Sequence, residues 1–146
     1  MVQIRLLAVS LLFLVFAALV PAVGTSAAST HQSTAGLVKV AKVGKLGSIL
    51  VTSKGFALYE WTQEKKHQIK CTGACATTWP PLLVPAHATV AKHIRGAMGT
   101  FGVIMRPDGT HQLTYQSKAL YTYQGDTKPG EALCQGSEGW YVFSAH

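Results

Sequence analysis

The chain has 146 residues, 13 of them Lys or Arg and 6 Asp or Glu, for a formal charge of +7. That length holds one ordinary domain, and the bases are scattered, with only Lys65 and Lys66 adjacent; a nucleic-acid binder concentrates charge on one element and interleaves stacking aromatics, so that class is excluded. Few carboxylates, no Gly-x-Ser-x-Gly elbow, no His-Glu-x-x-His and no Gly-rich phosphate loop leave catalysis little to build on, and the chain is read as a non-enzyme.

From the N-terminus, Arg5, the apolar run Leu6 to Val20 and the small residues from Pro21 to Ala28 read as a signal peptide over 1–28. The run falls short of the roughly 20 apolar residues that span a bilayer, so no stable membrane span is expected after cleavage. No cysteine lies near the cleavage region to carry a lipid, which places the mature protein in the periplasm or outside the cell, where thiols oxidise. Residues 29–36 are small and polar and read as a flexible lead-in.

A single domain is expected over 37–146. Leu37 to Val43 alternates apolar with polar, the period of a half-buried strand, and Gly44 and Gly47 break it. Ser48 to Thr52, a turn at Ser53-Lys54-Gly55, and Phe56 to Trp61 read as a hairpin. Cys71 to Trp79 is the least strand-like stretch and predicts a short helix that stops at Pro80-Pro81. Thr100 to Arg106, the turn Pro107-Asp108-Gly109 and His111 to Tyr115 form a second hairpin, followed by strands at Leu120 to Gln124 and Trp140 to Phe143. The fold class is therefore all-β or β-dominated, built of antiparallel hairpins with one short helical segment around the Cys-x3-Cys.

Two stretches repeat one another. Ser53 to Trp61 matches Ser117 to Tyr123, and pairing Tyr59 with Tyr121 gives an offset of 121 − 59 = 62. Within one residue of that offset Cys71-Thr72-Gly73 faces Cys134-Gln135-Gly136, Glu138 stands where a partner of Cys75 would, and Trp79 faces Trp140. The domain divides into two repeats at about 37–97 and 98–146, which bury apolar faces against one another.

Cys71 and Cys75 are four apart, a spacing that on a helical turn puts their Cα atoms about 6 Å apart, within bridging range. An exported chain favours a disulfide there. Cys134 is then the odd thiol, spare or available to join two copies into a dimer. A sharper alternative gathers His67, Cys71, Cys75 and Cys134 as a soft ligand set for copper or zinc, although the spacing is not that of a zinc ribbon. Otherwise no cofactor is implied. Among the aromatics, residues i and i+2 of a strand share a face, so Tyr59 with Trp61 and Tyr121 with Tyr123 form equivalent pairs. They read as a shared core, or, with Trp79 and Trp140, as a ligand surface of Trp61, Trp79, Tyr123 and Trp140.

The strings Leu58-Tyr59-x-Trp61, Cys71 to Leu82 and Leu120 to Gly130, with Trp140-Tyr141-Val142, closely resemble the bacterial secreted-repeat family of predicted lipoproteins with a Tyr-x4-Asp motif. The resemblance spans roughly 47–143. It implies Tyr121 and Asp126 as motif residues of the second repeat and Tyr59 of the first, where Glu64 replaces the aspartate, and it matches Cys71 and Cys75 to the family's cysteine pair. The motif carboxylate is expected to cap the turn after the strand by accepting backbone N–H groups, a task for which Glu is too long to match Asp. The expected function is an exported cell-envelope binding or structural module whose envelope partner or small ligand is unknown. The alternative is a periplasmic redox or metal-handling protein using its cysteines.

Overall fold

A computed structural model describes residues 34–146, so the expected signal peptide and most of the expected lead-in lie outside the described residues. The strands are β1 (Val38–Lys42), β2 (Ser48–Thr52), β3 (Tyr59–Trp61), β4 (Leu83–Val84), β5 (Phe101–Met105), β6 (His111–Tyr115), β7 (Lys118–Ala119) and β8 (Trp140–Val142), with one helix, α1 (Ala74–Thr78), between β3 and β4. Every ladder is antiparallel, and the class is β-dominated as the sequence predicts.

The two hairpins are copies. β1 pairs with β2 from Val38↔Thr52 to Lys42↔Ser48, and β5 pairs with β6 from Phe101↔Tyr115 to Met105↔His111, an offset of 101 − 38 = 63 throughout. Gly44 to Leu46, a 3-10 turn, fills the place that Pro107-Asp108-Gly109 takes in the second copy. Asp108 Oδ1 accepts the Thr110 N–H at 2.9 Å, the short-range bond that makes Asp a turn residue.

The hairpin expected over 48–61 forms only in part. Thr52 N–H donates to Phe56 O and Leu58 N–H to Leu50 O, but by Tyr59 the chain has left β2 and pairs with β8. The reason is an exchange of closing strands. Leu50 N–H donates to Phe143 O at 2.9 Å, and Ala145 N–H to Ser48 O at 3.0 Å, so the end of the second repeat completes the first hairpin. In return Leu113 N–H donates to Leu82 O at 2.8 Å, and β4 of the first repeat pairs with β6. At the centre Tyr59 N–H donates to Tyr121 O and Tyr121 N–H to Tyr59 O, at 2.8 and 3.0 Å, which marks a pseudo-two-fold axis.

Because strand residues alternate faces, the continuous apolar run Ile49-Leu50-Val51 is buried on both sides. Leu50, Leu58, Leu113, Leu120 and Phe143 make one core. Ile49, Val51, Tyr59, Trp79, Tyr121 and Trp140 make the other, with Cys71. Each core draws equivalent residues from both repeats, so neither repeat can close its own.

Residues 34–97 and 98–146 expressed apart should therefore each lack a cooperative thermal transition, and mixing them should restore one. Circular dichroism of the separate and mixed halves checks this; a sharp transition in either half alone would contradict the exchange.

Candidate functional site

Position 5 after each motif tyrosine is a carboxylate, but the two bond across the axis rather than within a repeat. The Tyr59 hydroxyl donates to Asp126 Oδ2 at 2.8 Å, and the Tyr121 hydroxyl donates to Glu64 Oε1 at 2.9 Å and Oε2 at 3.1 Å. All four residues are buried. Each carboxylate also closes the loop that follows it: Glu64 Oε1 accepts Lys70 N–H at 2.7 Å and Cys71 N–H at 2.9 Å, and Asp126 Oδ1 accepts Leu133 N–H at 2.9 Å. The capping role expected of the motif acid is present, with one correction. The longer Glu64 holds two loop amides, those of Lys70 and Cys71, and Asp126 one, that of Leu133.

Burial, and then the facing carboxylate, push both phenols well above the ordinary tyrosine range. Arg106 works against the rise at Tyr121. Its guanidinium is buried, with Nη1 donating to Gln112 Oε1 and Nη2 to Cys71 O at 2.8 Å, while Nε lies 3.6 Å from Asp108 Oδ2 without a hydrogen bond. Gln112 Nε2 then donates to Leu120 O at 2.7 Å. The matching positions of the first hairpin are Val43 and Ile49, so this polar chain belongs to one repeat alone. Sequence reasoning passed over Arg106 and Gln112; an Arg at a strand end before Pro107 carries no periodic signal of burial.

Cys71 and Cys75 are joined as a disulfide with Cα atoms 5.1 Å apart, at the start of α1. Cys71 is also the residue whose N–H meets Glu64 and whose C=O meets Arg106. Its partner in the second repeat is Leu133, not Cys134: both N–H groups sit seven residues past the motif acid and bond to it. Likewise Ser137 replaces Cys75, since Trp140 N–H donates to Ser137 O as Trp79 N–H does to Cys75 O. The loop before Trp140 is one residue shorter than that before Trp79, whereas the offset at the cysteines stays 62, so pairing Cys71 with Cys134 and Cys75 with Glu138 is off by one residue.

Cys134 is free and half-buried, with its thiol facing the Tyr123 hydroxyl. His67 is exposed with φ of 58°, and its N–H donates to Ser117 O; Gly130 fills the same role toward Gly55. Among the described residues no three His, Cys, Asp or Glu converge as a metal site. With Cys71 and Cys75 bonded to each other, the set His67, Cys71, Cys75 and Cys134 is not brought together as ligands.

The aromatic residues form one stack. Trp79 and Trp140 lie face to face, centroids 3.7 Å apart and planes 6° apart. Trp61 stacks on Trp140 at 5.3 Å, and Tyr123 lies against Trp79 at 4.6 Å with its plane tilted by 32°. Trp79 and Trp140 are 6 % and 2 % exposed, so of the four expected surface aromatics only Trp61 and Tyr123 reach solvent. Tyr123 lies over Gly125, where an added Cβ would stand 2.4 Å from Tyr123 Cε1. That close approach explains glycine beside the motif aspartate.

A family model described as a secreted repeat of unknown function matches residues 40–83 and 102–144. The chain belongs to that secreted-repeat family. Both matched segments run from the first strand of a hairpin to the closing strand that is exchanged, so the family unit is half of this interlocked pair. The family's description supports an exported protein. No curated protein and no solved structure matches the chain. Among the described residues no helix is long and apolar enough to cross a membrane.

Three outcomes follow from this secreted-repeat geometry. Tyr121→Phe and Tyr59→Phe should each cost about 1.5–3 kcal/mol in urea unfolding, the range for a hydrogen bond to a charged group. Replacing Cys71 and Cys75 with Ser should cost about 2 kcal/mol for so short a closed loop. Because the folded phenols hold their protons above the unfolded value of about 10, their contribution is complete below that pH and is lost progressively as pH rises from it toward the higher folded value. Melting temperature should thus fall in alkali, and ultraviolet titration should show Tyr59 and Tyr121 ionising only as the fold opens.

Proposed function

We propose that this exported protein is a non-catalytic binding module of the cell envelope, which takes an extended segment of a partner polypeptide along β5. The observation that carries the reading is a difference between two equivalent edges. Among the described residues β1 pairs only with β2, and β5 only with β6, so each is the outer strand of its sheet. β1 carries the exposed Lys39 and Lys42, and charge of this kind guards a free edge against pairing. The equivalent positions on β5 are Gly102 and Met105, and the strand Phe-Gly-Val-Ile-Met has no charge. Val103 is 39 % and Met105 68 % exposed.

The motif residues supply rigidity to this module. Tyr59, Glu64, Tyr121 and Asp126 spend their polar atoms on one another and on loop amides, which leaves no open acid, base or nucleophile at the axis. Phe101 N–H already donates to Lys92 O at 2.8 Å, so an added strand gains its main-chain hydrogen bonds along β5 beyond Phe101, and side-chain selection from the apolar positions beside it.

The test places a photo-crosslinking amino acid at Val103 or at the equivalent Val40 in the secreting cell. A discrete adduct at 103, identified by mass spectrometry and absent at 40, is the expected result. Equal labelling at both positions, or none at 103, would remove the edge from the proposal.

A further inference from the structure

The stack Trp61–Trp140–Trp79–Tyr123 is continuous, with centroid separations of 5.3, 3.7 and 4.6 Å. Its two inner rings are buried and its two outer rings are half-exposed, so a row of adjacent rings runs from surface to surface. Two further rings touch the inner pair edge-on: Tyr59 against Trp79 at 5.3 Å and 76°, and Tyr121 against Trp140 at 5.3 Å and 86°. These are the phenols whose hydroxyls already donate to Asp126 and Glu64. Packing alone accounts for the burial of the rings. It does not require a carboxylate on each buried phenol, and burying a carboxylate is costly unless its bonds are made.

Indole and phenol are easily oxidised by one electron. Transfer between rings in contact is not limited by distance, whereas a phenol gives up its electron readily only when its proton can leave at the same time. A proton acceptor must then lie within hydrogen-bond reach. Both flanking tyrosines meet that condition, at 2.8 and 2.9 Å.

We propose that this stack is a one-electron relay, which accepts an oxidising equivalent at the solvent edge of Trp61 and delivers it to the Tyr59–Asp126 and Tyr121–Glu64 pairs. The external reactant is a one-electron oxidant, such as a high-valent metal complex or an oxygen-centred radical. It gains one electron from the Trp61 indole, leaving an indole radical cation. Trp140 and then Trp79 refill the vacancy in turn. Tyr59 supplies the last electron, its hydroxyl proton passes to Asp126 Oδ2, and the products are a Tyr59 phenoxyl radical and a neutral Asp126 carboxylic acid. Tyr121 and Glu64 act in the same way from Trp140. No bond between heavy atoms is made or broken, and the loop bond from Leu133 N–H to Asp126 Oδ1 stays in place.

The experiment uses the intact mature chain and tris(bipyridine)ruthenium(III) generated by a light flash, read by transient absorption and freeze-quench electron paramagnetic resonance. The expected sequence is a tryptophanyl signal that converts to a tyrosyl signal, more slowly in deuterium oxide. Glu64→Gln with Asp126→Asn should abolish the tyrosyl signal and leave the tryptophanyl radical long-lived. Trp61→Phe, which keeps a ring on Trp140, should lower tyrosyl yield several-fold. Should the double variant fail to fold by near-ultraviolet circular dichroism, Trp61→Phe and the deuterium effect decide. An unchanged tyrosyl yield in Trp61→Phe, no isotope effect, or a radical confined to the exposed Tyr141 would overturn the relay.

Discussion

The crossing of the two tyrosine–carboxylate bonds is the constraint on which the rest of the molecule depends. Tyr59 and Tyr121 meet main chain to main chain at the axis, and each sends its phenol to the acid of the other repeat. Each acid in turn fixes the loop behind it through backbone amides. Once both phenols are anchored, Trp79 and Trp140 have a single place to lie, edge-on to those rings and flat against one another. Exchange of the closing strands then follows from direction. Past Pro80 and past Trp140 the chain runs to the opposite hairpin, where Leu82 O accepts from Leu113 N–H and Phe143 O from Leu50 N–H.

The symmetry is reinforced unequally. The first repeat adds a disulfide at Cys71 and receives the Arg106 guanidinium on the same residue's carbonyl; the second has Leu133 there and neither support. Glu64 and Asp126 differ to match. Glu64 gathers two amides and a phenol at one oxygen, and a cation near Tyr121 offsets the negative charge that this concentrates. Asp126 divides its partners between its two oxygens and has no such cation among its bonds. Arg106 therefore belongs with the longer acid.

Much of this fold was legible in the chain. Alternation located β1 and the second hairpin but paired β2 with the wrong strand, Pro107-Asp108-Gly109 located a turn, Pro80-Pro81 ended the helix, and the four-residue spacing gave the disulfide. The recurrence of Tyr59 as Tyr121 revealed the duplication and the family. What spacing does not carry is which copy a residue bonds to. Tyr59 lies close to Glu64 in sequence, yet its strand runs the phenol toward Asp126. Matching cysteine with cysteine likewise placed Cys134 opposite Cys71 when it stands opposite Thr72, because likeness of residue type was followed one residue off the constant offset of 62. The burial of Arg106 depends on a carbonyl 35 residues away in sequence, which no local pattern records.

A buried polar network is specific only while each member is satisfied. In this molecule it joins two halves whose hairpins could not each keep a third strand of their own without opening both shared cores. Separate closure would leave each phenol beside the acid of its own repeat, whose approach is set by a short loop, and would part Trp79 from Trp140. The exchanged arrangement satisfies both phenols and stacks both indoles at once. A duplicated unit of this kind is thus held as one body by four side chains at its axis, and its outer strands are left free to differ, as β1 and β5 do in their lysines.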